Sequence, residues 1–335
     1  MTNAPSHVRP SRRKHYVAEP RGNFQMTERA RLILSLLAPD SFRLLRTTHI
    51  LELLHYYLGE NSDQRTIRLL RMLHDHKYLL RIRNDPDSAS IAHGSLDKIY
   101  GLLNRKNQAL NERRDKASRV VPHALSTATS IIFNVIRHCR LSNGALRYMD
   151  HKEILATLAP EQTRQARKPL TWSVQVHFQN GYRRVGVTPD ELFIVHAPQR
   201  VAGRMAFVWE EDMKSEPIKR KNLEGTAIYR KHLAYGFSHA TRLLLDRFGI
   251  PGFRALFVTN SRERAEHMVT AFELLNEELK AAGLKKCPPN AFHYIDRPTL
   301  RAGGNIFSVP WINGHGKQVM IEPPSSAAPQ LSAVG

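Results

Sequence analysis

The chain has 335 residues, enough for two domains, and its 41% hydrophobic content supports buried cores and excludes wholesale disorder. Fifty Lys and Arg against 30 Asp and Glu leave a formal charge of +20, so polyanions are the first partners to consider, since each phosphate neutralised releases condensed counterions. Only Cys139 and Cys287 are present, without a CxxC or a Cys/His cluster at ligand spacing, and no stretch approaches the ~20 apolar residues of a bilayer span. A disulfide framework, a structural zinc and a membrane partner are therefore not expected, and a cytoplasmic setting fits.

Residues 1–22 carry five basic residues, one acid and three prolines with no apolar core. They read as part of a disordered basic arm over 1–26, not as a secretory signal. The first folded unit is expected over 27–116. Thr27 caps a helix through Arg29, Leu32, Ile33 and Leu36 that ends before Pro39. A second apolar helix follows Thr47 and Thr48, and Gly59 with Asn61 supplies a turn. Ser62 is the expected cap of a third helix, from Asp63 to about His76.

That third helix divides into two sides at ~100° per residue. Ile67, Leu69, Leu70 and Leu73 share one arc, while Arg65, Arg68 and Arg71 occupy the other, interrupted only by Met72. An acid-free arginine row suits phosphates or guanine edges, although a solvated face has the same composition. His74 and His76 end the helix and read as solvated, not as metal ligands. Next comes a strand-like run over 78–83 that includes Arg81 and Arg83. A turn-rich stretch over 84–89 follows it, then a second run over 97–103 and a helix opening at Asn104. This order is that of a winged helix-turn-helix, and it predicts double-stranded DNA contact through Arg65, Arg68, Arg71, Arg81 and Arg83. Residues 1–120 hold 22 basic and 12 acidic side chains, half of the whole excess.

Residues 111–119 form a charged connector, and a helix is expected from Pro122 to about Cys139. From Leu170 onward strands alternate with helices. Strands are predicted at 172–178, 182–187, 192–196, 204–212, 253–258 and 292–295, and helices at about 222–248 and 262–282. The 253–258 run is apolar enough to be a central strand covered on both faces. The result is an α+β chain whose second domain, 120–312, is a layered α/β unit, followed by a Pro-, Ser- and Ala-rich tail, 323–335, expected to be disordered. Trp172, Trp209 and Trp311 read as core or edge aromatics, and the glycine pairs 303/304 and 314/316 as turns.

The chemistry-bearing residues are carboxylates. Pro189-Asp190 lies at a turn, and Glu210-Glu211-Asp212 closes an apolar run. Within a strand, 210 and 212 share one face and 211 faces away, and Asp190 is one hairpin distant. Asp190, Glu210 and Asp212 converging at a sheet edge would offer hard oxygens to a magnesium ion. Lys214 or Lys231 is the cation expected beside them, with Tyr235 one helical turn from Lys231. The alternative is an exposed strand end satisfied by nearby basic residues. His123, just after Pro122, reads as a packing or capping residue.

The segments Pro189-Asp190, Phe207 to Asp212, Ser215-Glu216-Pro217 and Lys231 to Tyr235 resemble the replication-relaxation family of plasmid and mobile-element proteins. The preceding helical unit and the helix beginning near His123 fit the same resemblance, which covers roughly residues 27–300. It implies an N-terminal winged helix-turn-helix joined to a domain similar to the PD-(D/E)XK nucleases, acting in replication control or mobilisation. In that setting Asp190, Glu210 and Asp212 are the magnesium ligands and Lys231 or Lys214 the catalytic lysine. One departure stands out: the strict pattern places lysine two residues after the acid, and position 212 is Asp. Asp212-Met213-Lys214 restores acid-x-lysine by a shift of frame, or Lys231 supplies the charge from the next helix. The rival expectation is a non-enzymatic DNA-binding regulator whose α/β domain binds a partner or forms a homodimer.

Overall fold

A computed structural model describes residues 24–59, 62–82, 97–199, 203–213, 216–220 and 222–324. Contacts divide the chain into two compact units, Met1–Leu51 with Asn61–Val121, and Glu52–Glu60 with Pro122–Gly335. Residues 1–23 of the basic arm, the turn over 84–89, Arg83 and Lys214 lie outside the described residues, as does nearly all of the tail. Phe24 at the arm's end is ordered against His76 and Tyr78.

In the first unit, α1 (Glu28–Leu36) starts where Thr27 accepts a hydrogen bond from the Ala30 amide at 3.2 Å. A two-residue strand, β1 (Leu45–Arg46), follows and leads into α2 (Thr47–Leu58) and α3 (Asp63–Asp75). Ser62 precedes α3 without a side-chain capping bond. The hairpin β2 (Leu79–Ile82) and β3 (Ile99–Leu102) comes next, then α4 (Arg105–Glu112), capped by the Asn104 side chain. The sheet order is β1-β3-β2, fully antiparallel, with Leu45 opposite Tyr100 and Leu79 opposite Leu102. Ile33, Leu37, Ile50, Leu70, Leu73, Leu79 and Ile99 are buried, so each element gives one apolar stripe to a common core. Sequence patterning alone does not show β1, since two residues carry no periodicity.

The helix expected from Pro122 begins earlier. α5 (Arg114–Ile131) runs straight through Pro122, continues as a π-helical turn (Ile132–Ile136) and ends as α6 (Arg137–Leu141). The proline removes one helical hydrogen bond, but Val121 and Leu125 on either side are buried, and packing carries the helix past it. β4 (Arg147–Met149), α7 (His151–Thr157) and α8 (Glu161–Arg164) lead to a separate hairpin, β5 (Trp172–Phe178) with β6 (Gly181–Val187).

The main sheet then assembles. β7 (Glu191–His196) and β8 (Arg204–Glu211) form an antiparallel pair with β4 on the outer side of β7. α9 (Ile228–Ala240) crosses over to β9 (Phe253–Thr259), which runs parallel to β8. The single helix expected over 222–248 is in fact two. Arg242 adopts a left-handed φ of 54°, which ends α9 and starts α10 (Leu243–Phe248). α11 (Arg262–Ala281) returns to β10 (Phe292–Asp296), also parallel to β9, and α12 (Arg297–Gly303), β11 (Pro310–Asn313) and β12 (Gln318–Met320) complete the unit. The seven-stranded order is β12-β11-β10-β9-β8-β7-β4, with β9 at its centre, in keeping with its largely apolar run. Leu192, Ile194, Val208, Ala255 and Phe257 bury one face in a core with Leu233, Phe237, Phe272 and Leu275 of α9 and α11. Phe193, Phe207 and Trp209 point to the other face, where Phe193 and Phe207 stack at 5.1 Å and Trp209 meets Trp311 edge-on at 6.4 Å. The architecture is mixed α+β. Among the described residues no helix is long and apolar enough to cross a membrane.

Candidate functional site

Two surfaces carry the residues singled out by the sequence. On α3, Arg65, Arg68 and Arg71 are all exposed, whereas Thr66, Leu70 and Leu73 are buried. No hydrogen bond or ion pair links these three arginines to the described residues, so the row is free for an outside anion. Arg81 on β2 lies against the Tyr100 ring, 5.9 Å from its centroid. Burial, with the charges of Arg81 and Arg71, holds the Lys98 amine below its usual range, which marks a like-charge group spanning α3, β2 and the start of β3. Of the HxH pair, His74 bonds Asp75 at 3.3 Å and His76 packs on Phe24.

The carboxylates gather where β7 begins and β8 ends. Asp190 lies one step beyond the Glu191–Trp209 pair of the β7–β8 ladder, which sets it across from Glu210. Its amide donates to Trp209 O at 3.1 Å, and its Oδ2 accepts from the Glu211 amide at 2.8 Å. Glu210 and Glu211 are both fully buried and, as successive strand residues, face opposite layers. Glu210 faces α9, where Lys231 Nζ donates to Oε2 at 2.8 Å and the Tyr235 hydroxyl donates to Oε1. Lys231 also lies 3.3 Å from Glu216 Oε2. Glu211 faces α5 and α12, accepting from Ser126 Oγ at 2.7 Å and from Arg297 Nε at 2.8 Å, with Trp209 Nε1 on its other oxygen.

Asp212 lies just past the strand and pairs elsewhere. Arg264 of α11 clamps both of its oxygens, and Thr259 Oγ1 donates to Oδ2 at 2.8 Å. The structure thus brings Asp190, Glu210 and Lys231 together and holds Asp212 in a separate ion pair. Lys214 lies outside the described residues. His123 of α5, read as packing or capping, instead places Nε2 3.4 Å from Asp190 Oδ2. Ser126, Arg297 and Arg264 had no signal in the sequence, because only the sheet order brings α5, α11 and α12 to this strand end.

Burial pushes the Glu210 carboxyl up to about 7, since a desolvated carboxylate is disfavoured despite Lys231. Burial also acts to raise Asp190, but the hydrogen bond and charge of His123, with Lys231, outweigh it and hold this carboxyl below its usual range. Reciprocally, the bond to Asp190 raises His123. Lys231 is raised because the nearby carboxylates Glu210, Asp190 and Glu216 outweigh its desolvation. The Lys231 amine and the His123 ring therefore share the carboxylates Glu210, Asp190 and Glu216. Among the described residues, no three His, Cys, Asp or Glu side chains are grouped so as to hold a metal ion. The hard-oxygen donors present are Asp190 and Glu210.

No family model matches the chain, and no curated protein or solved structure matches it significantly.

Proposed function

We propose that this chain is a DNA-binding protein of replication control or mobilisation in a plasmid or mobile element, docking on duplex DNA through α3. The observation that carries the proposal is the exposed row Arg65, Arg68 and Arg71, unpaired among the described residues, opposite a buried apolar face. The order helix, short strand, two helices and hairpin supports a winged helix-turn-helix, in which the second helix of the pair enters the major groove. Arg81 lies at the base of the wing, suited to backbone phosphate.

The second unit reads as a PD-(D/E)XK nuclease-like domain. Its helix, three antiparallel strands (β4, β7, β8), crossover helix and parallel strand (β9) support this reading, with Asp190 and Glu210 at adjacent strand ends. Magnesium, when bound, supplies Lewis acidity and an activated water. Asp190 and Glu210 are the ligands this chain offers, Lys231 offsets charge developing on a phosphate, and Tyr235 fixes the second oxygen of Glu210. Asp212, clamped by Arg264, drops out of the ligand set.

A second reading, a non-enzymatic regulator, is favoured by one feature: Glu210, Glu211 and Asp212 each already hold an internal cation, in Lys231, Arg297 and Arg264. Incubating supercoiled plasmid with the wild type and with Asp190→Ala, with magnesium or a chelator, separates the two readings. Magnesium-dependent nicking by the wild type alone supports the nuclease. Intact plasmid in every lane, with duplex binding retained, leaves the regulator.

A further inference from the structure

A cleft of about 400 Å³ lies between the α5–α6 layer and α12, lined by Phe133, Asn134, Arg137, His138, Arg301 and Asn305 among others. Its chemistry is one-sided: among the described residues lining it there is no acid. Arg137 and Arg301 are exposed, and neither makes a hydrogen bond or ion pair with the described residues. Phe133 and Asn134 of the lining belong to the π-helical turn Ile132–Ile136, a local widening that recurs at functional sites. The Asn134 carbonyl on that turn accepts from the Ile306 amide at 3.1 Å, which ties the segment after α12 to the turn. The His138 ring lies 5.6 Å from Phe307, and burial keeps its pKa low, so it presents a neutral ring, not a charge.

The cleft also has a direction. Arg297 and Arg301 are i and i+4 on α12, about 6 Å apart along its axis. Arg297 holds Glu211, and Arg301 lines the cleft. On α5, Ser126 likewise holds Glu211, while Thr129, three residues on, lines the cleft. The basic cleft therefore starts one helical turn from Glu211, on the sheet face opposite Glu210, and leads away from it.

We propose that this cleft seats one nucleotide of a single-stranded nucleic acid, with Arg137 and Arg301 on successive phosphates and the Phe133 and His138 rings beside the base. Paired cations flanking aromatic faces are the means by which proteins hold single strands, and a cleft of this size admits an unpaired base but not a duplex. The inference deepens the nucleic-acid reading by placing a strand on the second unit, and it holds whether or not the carboxylates cleave.

The test uses the full chain and a labelled twelve-thymidine single strand, followed by fluorescence anisotropy. The Arg137→Ala/Arg301→Ala double variant should bind it at least roughly tenfold more weakly, the worth of one charge-assisted hydrogen bond. The same variant should keep wild-type duplex affinity and thermal midpoint, which shows that it is folded. Replacing Arg65, Arg68 and Arg71 together by Ala should leave single-strand binding within a few fold while weakening duplex binding. Photocrosslinking of a bromodeoxyuridine-bearing strand should label the peptide that contains Phe133 and His138. Single-strand affinity unchanged in the double variant, or crosslinks confined to other peptides, would overturn the proposal. Duplex binding at wild-type affinity in the triple Ala variant would count against α3 docking and leave the cleft untouched.

Discussion

Lys231 Nζ lies 2.8 Å from Glu210 Oε2, and this contact sets α9 against the end of β8. Both groups are largely out of water, with Glu210 the more deeply buried. A buried pair adds little net stability when intact, because desolvation offsets the attraction, but breaking it leaves an uncompensated charge. Lys231→Ala should therefore cost about 3 kcal/mol or more in chemical denaturation. Adding Glu210→Gln should recover a large part of that loss. A double variant no more stable than Lys231→Ala would show that the pair is not what holds this end of the strand.

The pH dependence follows from the same carboxyl. Its folded value is raised from 4.5 to about 7, so the folded state holds the proton more tightly than the unfolded chain. The stability this contributes is fully present below pH 4.5 and is lost as pH rises through 7. Buried His232, lowered by desolvation to about 4, acts in the opposite sense, costing stability as pH falls below 6.5. The informative quantity is thus the difference between wild type and Glu210→Gln. The wild type should lose stability relative to the variant between pH 5 and pH 7, and the gap should be flat above pH 8. Parallel melting curves across that range would contradict the assignment.

The arginine row makes a prediction about binding and not about folding. Arg68→Ala should weaken duplex affinity by ~1–3 kcal/mol if it reads a base edge, and by less if it meets phosphate. A phosphate contact shows instead as a salt slope shallower by about one. Since Arg65, Arg68 and Arg71 are exposed, the melting midpoint should not move. Removing residues 2–22, with their five basic side chains, should also flatten the slope. Duplex binding by the triple Ala variant at wild-type affinity would take α3 out of the interface.

Gly236 tests the packing behind the site. A Cβ at this position would lie 2.4 Å from both Leu275 methyl groups, and Leu275 is itself fully buried. Gly236→Ala should gain ~1 kcal/mol of helix propensity but incur about 1–3 kcal/mol of overpacking between α9 and α11. Its denaturation midpoint should fall, and Lys231 on α9 should shift with the helix. A variant as stable as the wild type would mean that α9 and α11 have room to separate.

Features that depend on a single element were open to reading from the residues. The two-sided character of α3 follows from its ~100° turn, and the opposed directions of Glu210 and Glu211 follow from the period of two in a strand. The largely apolar run over 253–258, interrupted only by Arg254, implied a central strand covered on both faces. Other outcomes needed contacts distant in the chain. β1 is too short to pattern, the left-handed Arg242 divides a continuous helical pattern, and buried neighbours carry α5 past Pro122. Above all, the sequence places Asp190, Glu210 and Asp212 within one hairpin, but it does not assign their partners. Glu210 is paired with Lys231, Glu211 with Arg297 and Asp212 with Arg264, across separations of 21, 86 and 52 residues. Sheet order alone brings those cations to the end of β8, and a buried carboxylate takes whichever cation the fold delivers, because leaving it unpaired costs several kcal/mol.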